Sequence, residues 1–338
     1  MELAYFSGYA LARQRQTGGA GIVLRFERVR PRQSLRFQPH KASEITPQFL
    51  DRTVRALKRW KFDIISMDEV CRRAVTLPTP NRFVCLTFDG AYKDVIDWAY
   101  PVLRKHSVPF TVYLPTAFPD GIGEAWWLAL EELIARENRL SLVIDRKERR
   151  FATSSTAEKS QTYEFLASWL RTLTPADISL AINDLCRRYS VDLTALSRSA
   201  SMDWDHLARL AADPLVTIGS ATVNYPALSK LRDVDAQREI VMGKAVAEMA
   251  FQRDVRHFAY PFGDRASWGR QHVVMTQEAG FASAVSDIPG IVEAGGRTNL
   301  HTLPRVAWDG RQHSLRMLRV ILTGMNFPPI QPPRDNWV

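Results

Sequence analysis

Short apolar runs alternate with amphipathic helical segments from residue 20 to residue 118, and the same alternation returns after residue 215. This rhythm confines the chain to parallel α/β architecture, because each helix must carry the backbone back across a sheet before the next strand can join it. Residues 21–29, Gly-Ile-Val-Leu-Arg-Phe-Glu-Arg-Val, read as a first strand. Thr46 and Pro47 supply an N-cap and a first-turn proline to a helix whose Leu50, Val54, Leu57 and Trp60 share one face. Phe62 to Ile65 is the next strand, and Ser66-Met67-Asp68-Glu69 has the spacing of a capping box opening a second short helix. A strand at 82–88, a helix near 100–106 and a strand from Phe110 to Leu114 continue the series. Later strands are expected near 215–219, 256–260, 281–285 and 303–307, with a closing helix at 313–323. At 338 residues and 46% hydrophobic content, the chain can bury a barrel-sized core.

Between Phe118 and Asp213 the period becomes helical. Trp126, Trp127, Leu130, Leu133 and Ile134 mark one helix, 158–172 a second, and 176–189 a third after Thr174-Pro175, with a short β-ribbon at 140–152. No linker-like composition borders this stretch. The expected organisation is therefore one discontinuous barrel domain over 20–118 and 214–325, a helical insertion over 119–213 acting as lid or side wall, and a proline-rich tail over 326–338. Trp126 and Trp127, near Gly121 and Gly123, read either as core or as a platform for a sugar ring.

The strand at 82–88 ends in Thr87-Phe88-Asp89, and a turn-forming Gly90 follows. A buried parallel strand delivers an acid in this way to the mouth of an α/β site. The passage resembles the Thr-Phe-Asp-Asp-Gly motif of polysaccharide deacetylases, the nodulation-protein-B homology group or carbohydrate esterase family 4. Residues 215–230 run parallel to that family's Ile-Gly-Ser-His-Thr-x-x-His-Pro-x-Leu. Arg256-His257-Phe258-Ala259-Tyr260-Pro261-Phe262-Gly263 is similar to its Arg-x-x-x-Tyr-Pro-Tyr-Gly, followed by a helix and Ala279-Gly280-Phe281. The resemblance covers roughly residues 20–310 and implies a distorted, incomplete (β/α) barrel of about seven strands.

By that resemblance the first Asp, here Asp89, is the catalytic base, and the second Asp and two histidines hold zinc or cobalt for hydrolysis of N-acetyl groups on N-acetylglucosamine-type sugars. The three ligand positions here are Gly90, Ala221 and Tyr225. Without a metal, water activation loses roughly 9 pK units, on the order of 12 kcal/mol, because metal-bound water ionises near pH 7 and bulk water near 15.7. Asp89 alone does not replace that. The family's late Leu-x-x-His, the source of its general acid, is absent, and His301 is the nearest histidine to that region. No cofactor is expected. The candidate pocket is Asp89 with Thr87, Gly90, Ser220, Ala221, Thr222, Asn224, Tyr225, Arg256, Tyr260, Pro261 and Arg305, polar and aromatic groups suited to a sugar. Asp89 reads equally as a turn cap, and Tyr225 as a filler of the space a histidine leaves.

The net charge of +9, with Arg25, Arg28, Arg30, Arg32 and Arg36 crowded together, raises nucleic acid as a partner. The spacing suits one solvated strand face and the loop after it, and no recognition motif accompanies it. An acetylated amino sugar or other glycan, anionic glycans included, is the expected partner. Cys71, Cys85 and Cys186 are odd in number and widely spaced, as small core residues rather than a disulfide framework. Without a signal-like start or an apolar run of membrane-spanning length, the expectation is a cytoplasmic protein. Three functions follow: a deacetylase-like glycan-binding or regulatory protein without the metal-dependent reaction, a metal-independent hydrolase of non-peptide C–N bonds with Asp89 as base, or an interaction protein using its basic surface.

Overall fold

The computed structural model describes residues 19–76, 81–311 and 314–327. The tail from residue 328, His313 and the N-terminal segment examined for an export signal lie outside the described residues. In chain order the first part comprises β1 (Gly21–Phe26), β2 (Arg28–Val29), β3 (Glu44–Ile45), α1 (Pro47–Arg59), β4 (Asp63–Ile65), α2 (Met67–Val75), β5 (Phe83–Asp89), α3 (Tyr100–Lys105) and β6 (Phe110–Leu114). Next come α4 (Trp126–Arg136), the antiparallel ribbon β7 (Arg139–Ile144) and β8 (Lys147–Ala152), α5 (Thr156–Leu170), α6 (Pro175–Arg188), α7 (Leu193–Ala200) and α8 (Trp204–Ala211). The chain returns through β9 (Val216–Ser220), α9 (Asp233–Phe251), β10 (His257–Ala259), α10 (Arg270–Glu278), β11 (Ser283–Val285), β12 (Arg305–Ala307) and α11 (Leu315–Leu322).

All pairings in the main sheet are parallel, in the order β11-β10-β9-β6-β5-β1-β12, with β4 added beside the start of β5. A single bridge, Val285 to Leu303, brings the two ends together, so seven strands form a nearly closed barrel. The (β/α)7 expectation stands. Every residue of β5 is buried, because both of its faces are covered. Val84, Leu86 and Phe88 point outward into the layer that α1, α3 and α8 cover, whereas Phe83, Cys85, Thr87 and Asp89 point into the barrel.

α1 begins as expected, with Thr46 Oγ1 accepting from Phe49 N at 3.1 Å and Pro47 in the first turn. At α2 the capping box is half realised. Ser66 Oγ accepts from Glu69 N at 3.4 Å, but the Glu69 carboxylate turns to Arg72 and Arg73 instead of returning to the cap. The apolar face of α2, Met67, Val70 and Ala74, packs with Val23, Cys85, Tyr113, Val285 and Leu303 from the barrel interior. This helix therefore plugs the N-terminal end of the barrel and leaves the other end for the site.

Between β6 and β9, α4, α5, α6 and the ribbon enclose a second core containing Leu130, Leu133, Tyr163, Leu166, Ile182 and Leu185. Trp126 belongs to it and is 9% exposed. The 19-residue α9 had no counterpart among the expected helices, because its buried stripe is thin and made of small residues, Ala236, Gly243 and Ala247 beside Ile240.

The arginines at 25–36 do not form one solvated face. The expected strand over 21–29 ends at Phe26, and Arg28–Val29 turns away to pair with β3. Arg25 points into the barrel, Arg28 is bonded to Asp94 at 2.5 Å over the Tyr92 ring, and Arg30 pairs with Glu44. Arg32 and Arg36 are exposed. Among the described residues no helix is long and apolar enough to cross a membrane. Cys71, Cys85 and Cys186 are free, and Cys71 is only half-buried.

Hydrogen bonds from Arg72, then from Arg73, hold the Glu69 carboxyl at about 2, against an ordinary value of 4.5. A depressed folded-state pKa contributes stability above pH 4.5 that is lost as pH falls toward 2. Glu69→Gln is expected to flatten that part of the acid limb of a urea-midpoint profile, modestly because water screens the pair. An unchanged limb would show that Glu69 does not help to seat α2.

Candidate functional site

The barrel mouth is organised around Arg305, whose side chain is fully buried. Its Nη1 donates to Asp89 Oδ1 at 2.6 Å and to Thr87 Oγ1 at 3.4 Å. Its Nη2 donates to Asp89 Oδ2 at 2.8 Å and to Asp287 Oδ1 at 2.7 Å, and Nε donates to Ser286 O at 3.1 Å. These five contacts use the full donor capacity of a guanidinium. Arg25 Nε lies 2.9 Å from Asp287 Oδ2, a close ion-pair contact rather than an aligned hydrogen bond. Arg25 Nη1 also donates to Glu27 Oε2 at 3.3 Å, so two arginines, two aspartates and a glutamate form one ion-pair network at the barrel mouth. Burial works against the charge on Arg305, but Asp287 and Asp89 outweigh it and hold the guanidinium above its ordinary pKa. Burial also raises the Asp287 carboxyl, against the pull of Arg305 and Arg25.

Above the network is a cavity of about 300 Å³ reached by Asp89, Gly90, Arg25, Asp287, Tyr225 and Trp127. Tyr92, Phe262, His40, Tyr163 and Arg171 complete much of its wall. Trp127, from α4, donates its indole N–H to Tyr92 Oη at 2.8 Å and meets Tyr225 and Phe262 edge-on, with ring centres 6.1 and 6.4 Å away. The tryptophan pair therefore divides its labour, Trp126 mainly packing and Trp127 facing the cavity. His40 Nε2 is 2.7 Å from Tyr163 Oη, and burial lowers the imidazole pKa.

The loop after β9 is strained. Thr222 and Tyr225 have φ of +69° and +59°, and Ala91 and Phe262, also at the mouth, +49° and +61°. Left-handed conformations of non-glycine residues cost on the order of 1–3 kcal/mol each and persist only where the surroundings enforce them. Thr222 Oγ1 accepts from Tyr225 N at 3.0 Å, and the Glu239 carboxylate of α9 accepts from Val223 N and Asn224 N at 3.0 and 2.9 Å. Gly243, one helical turn beyond Glu239, lets α9 approach so closely that a Cβ would lie 2.6 Å from the Thr222 carbonyl carbon.

The expected pocket residues separate into three groups. Asp89, Gly90 and Tyr225 line the cavity, with Thr87 and Arg305 directly beneath. Asn224 Nδ2 bonds to Glu239 at 2.7 Å and lines a neighbouring cavity. The remaining residues lie elsewhere. Ser220 follows inward-facing Gly219 and so points to the other face, Ala221 is buried in the barrel interior, and Thr222 serves its own loop. Tyr260 turns outward, stacking on Trp268 with ring centres 4.4 Å apart and donating to His301 O at 3.0 Å. Pro261 is buried in the turn, and Phe262 is the residue of that motif that reaches the cavity. Arg256 precedes the N-terminal end of β10 and pairs with Asp68 of α2, at the opposite end of the barrel from Asp89.

Arg25, Asp287, Tyr92 and Phe262 were not singled out as site residues. Arg25 shares strand parity with inward-facing Val23, and Asp287 follows the C-terminal end of an expected strand, so both carried a usable signal. Tyr163 and Arg171 carried none, because only packing of α5 over the mouth brings them there.

The side chains at the three metal-ligand positions do not fit a metal. Gly90 and Ala221 have no donor atom, and Tyr225 is pushed well above the usual phenol pKa by burial and by Asp89 and Asp287. Asp89 is 4% exposed with both oxygens on Arg305. Gly90 itself sits at φ +84°, where a Cβ would be 3.0 Å from the Tyr92 ring. Among the described residues no group of three or more His, Cys, Asp or Glu side chains converges as metal ligands would.

Residues 175–283 match the sequence model of the polysaccharide deacetylase family. No curated protein matches the chain in sequence. Among solved structures, the Streptococcus pyogenes deacetylase PplD is similar with TM-score 0.58 and 15% identity, over 89% of this chain and 97% of that one. IcaB from Ammonifex degensii aligns at TM-score 0.58 and 14% identity, over 91% and 98% of the two chains. A de-N-acetylase from Aggregatibacter actinomycetemcomitans aligns at 0.55 and 12%, over 89% and 99%.

Arg305→Met should cost roughly 3–5 kcal/mol, because it strands the Asp89 carboxylate in the interior. Adding Asp89→Asn to that variant should recover part of the loss, a coupling readable from a double-mutant cycle in urea; simple additivity would show that the pair is not coupled. Gly243→Val should cost about 1–3 kcal/mol and alter the near-ultraviolet circular dichroism of the Trp127–Tyr225 cluster, through displacement of the strained loop. Wild-type spectra would show that the loop does not lean on α9.

Proposed function

The chain is polysaccharide deacetylase-like in fold and, over residues 175–283, in sequence, and from that premise we propose that it binds an acetylated amino sugar in the mouth cavity without metal-dependent hydrolysis. The observation that carries this reading is the absence of a donor atom at Gly90 and Ala221, beside an Asp89 held bidentately by Arg305. A general base must offer a lone pair to water, and the guanidinium of Arg305 occupies one such site on each oxygen of the candidate base. The same pairing weighs against a metal-independent hydrolase with Asp89 as base. The interior ion pairs of Arg25, Arg28 and Arg30 likewise weigh against a basic docking surface built on that segment.

The cavity suits a sugar on physical grounds. Trp127, Tyr225 and Phe262 offer aromatic surfaces to the apolar face of a pyranose, and His40, Glu27 and Tyr92 place polar groups around it. In this reading the helices between β6 and β9 act as the side wall, since α4 and α5 supply Trp127, Tyr163 and Arg171. Anionic substituents on the glycan and a cytoplasmic location belong to the same proposal.

The test is calorimetric titration with N-acetylglucosamine oligomers, beside elemental analysis for metal and an acetate-release assay with and without zinc or cobalt. Binding without acetate release is expected, and Trp127→Ala should weaken it about tenfold or more. Stoichiometric metal accompanied by acetate release would overturn the proposal.

A further inference from the structure

The helix α9 is apolar on the side that faces water as well as on the side that faces the barrel. Ala236, Ile240, Gly243 and Ala247 pack inward. At about 100° per residue the opposite arc carries Val234, Arg238, Val241, Met242, Ala245 and Met249, all of them exposed and only one of them charged. At its two ends Val234 is 78% and Met249 72% exposed. A helix laid over a core gives its outer face to charged and polar groups, as α1 does with Arg52, Arg55, Lys58 and Arg59. A contiguous apolar stripe in that place marks an association surface.

The stripe is also symmetric about its own midpoint. Val234 and Met249, Arg238 and Ala245, and Val241 and Met242 are each equidistant from the point between residues 241 and 242. Laid antiparallel on a second copy of itself, the helix sets apolar side chains against one another and its one cation against an alanine, one turn from Glu248 of that copy. We propose that the outer face of α9 is the two-fold contact of a homodimer. Charge fits this occupant. Among the described residues Arg238 makes no ion pair, and its neighbour Asp235 is already held by Arg232 at 2.7 Å. Glu248 of the second copy, which keeps Lys244 at 3.0 Å on its own helix, supplies the missing acid. Because α9 leads from the loop at the mouth toward the start of β10, the pairing points the two mouths in opposite directions. A standard interface buries about 800 Å² per partner through roughly 20–30 residues. Six side chains fall short of that, so the expected dimer is a weak one, dissociating in the micromolar range.

Sedimentation velocity on the full chain, from about 1 to 100 μM, should show a monomer–dimer equilibrium. Met242→Glu places two carboxylates at the two-fold and should weaken association by at least about a hundredfold. Arg238→Glu, set near Glu248 of the other copy, should weaken it less. Both positions are exposed, and circular dichroism checks that the fold is kept. Oxidation tests the register. Val241→Cys brings the two introduced thiols together at the two-fold, whereas Val234→Cys leaves them about 22 Å apart along the paired helices, beyond a disulfide's reach. A disulfide-linked dimer is expected from Val241→Cys alone, with the wild-type chain as the control for Cys71. A monomer throughout the range, including one in which the chain's own terminal segments cover the face, would overturn the proposal. So would a dimer that survives Met242→Glu, or one that Val234→Cys links as readily as Val241→Cys.

Discussion

A guanidinium with its donor capacity filled, buried on the barrel axis, ties together the ends of four strands. Arg305 of β12 reaches Asp89 of β5 and the Ser286–Asp287 segment after β11, and Asp287 in turn contacts Arg25 of β1. The seam between β11 and β12 is held by one bridge at Val285 and Leu303. Arg305 spans that seam with two of its bonds. Burying four charges is costly, and the cost is offset only where each charge is paired and its hydrogen-bonding capacity met. The same requirement makes the arrangement specific, because any other register of these strands would leave a charge alone in the interior.

The network also decides what chemistry the mouth can support. A carboxylate at the C-terminal end of a central barrel strand is where a general base belongs, and Asp89 is delivered there by a fully buried strand. Both of its oxygens accept from Arg305, and the positions that would hold a metal carry a glycine at positive φ, an alanine within the packed interior and a tyrosine in an aromatic cluster. Each replacement is integrated into its surroundings. Tyr225 meets Trp127 and Phe262, and its left-handed backbone is enforced by Thr222 and by the Glu239 carboxylate beneath its loop. Four left-handed non-glycine residues, Ala91, Thr222, Tyr225 and Phe262, sit at the mouth, and α9 holds the loop that carries two of them.

The helices between β6 and β9 extend this logic outward. They enclose their own core and also present Trp127, Tyr163 and Arg171 to the inner cavity, so one packing event both stabilises the segment and builds the wall. Beyond the aromatic cluster α6 and the loop after β9 meet around a second cavity whose lining mixes Leu173, Ile178 and Leu231 with Ser179, Asn224, Lys230 and Glu239.

Local pattern settled the strands and much of the architecture. The period-two and period-3.6 repeats mark β1, β5, β6 and α1, and the apolar run ending at Asp89 places that acid at the mouth, since backbone propensity and burial act over neighbouring residues. Gly90, Ala221 and Tyr225 were equally legible, because a missing donor atom is a property of the residue itself. Tertiary structure alone decided the partners. Nothing near Arg305 in sequence points to Asp89, 216 residues away, and although strand parity sets Arg25 on the side of Val23, it does not name Asp287 as its partner. Tyr260 and Phe262 sit two residues apart in one motif, yet the positive φ of Phe262 sends it to the cavity while Tyr260 packs on Trp268. Side-chain direction at a strand end, and the pairing of buried charges, depend on elements hundreds of residues distant. They become determinate only when the barrel closes.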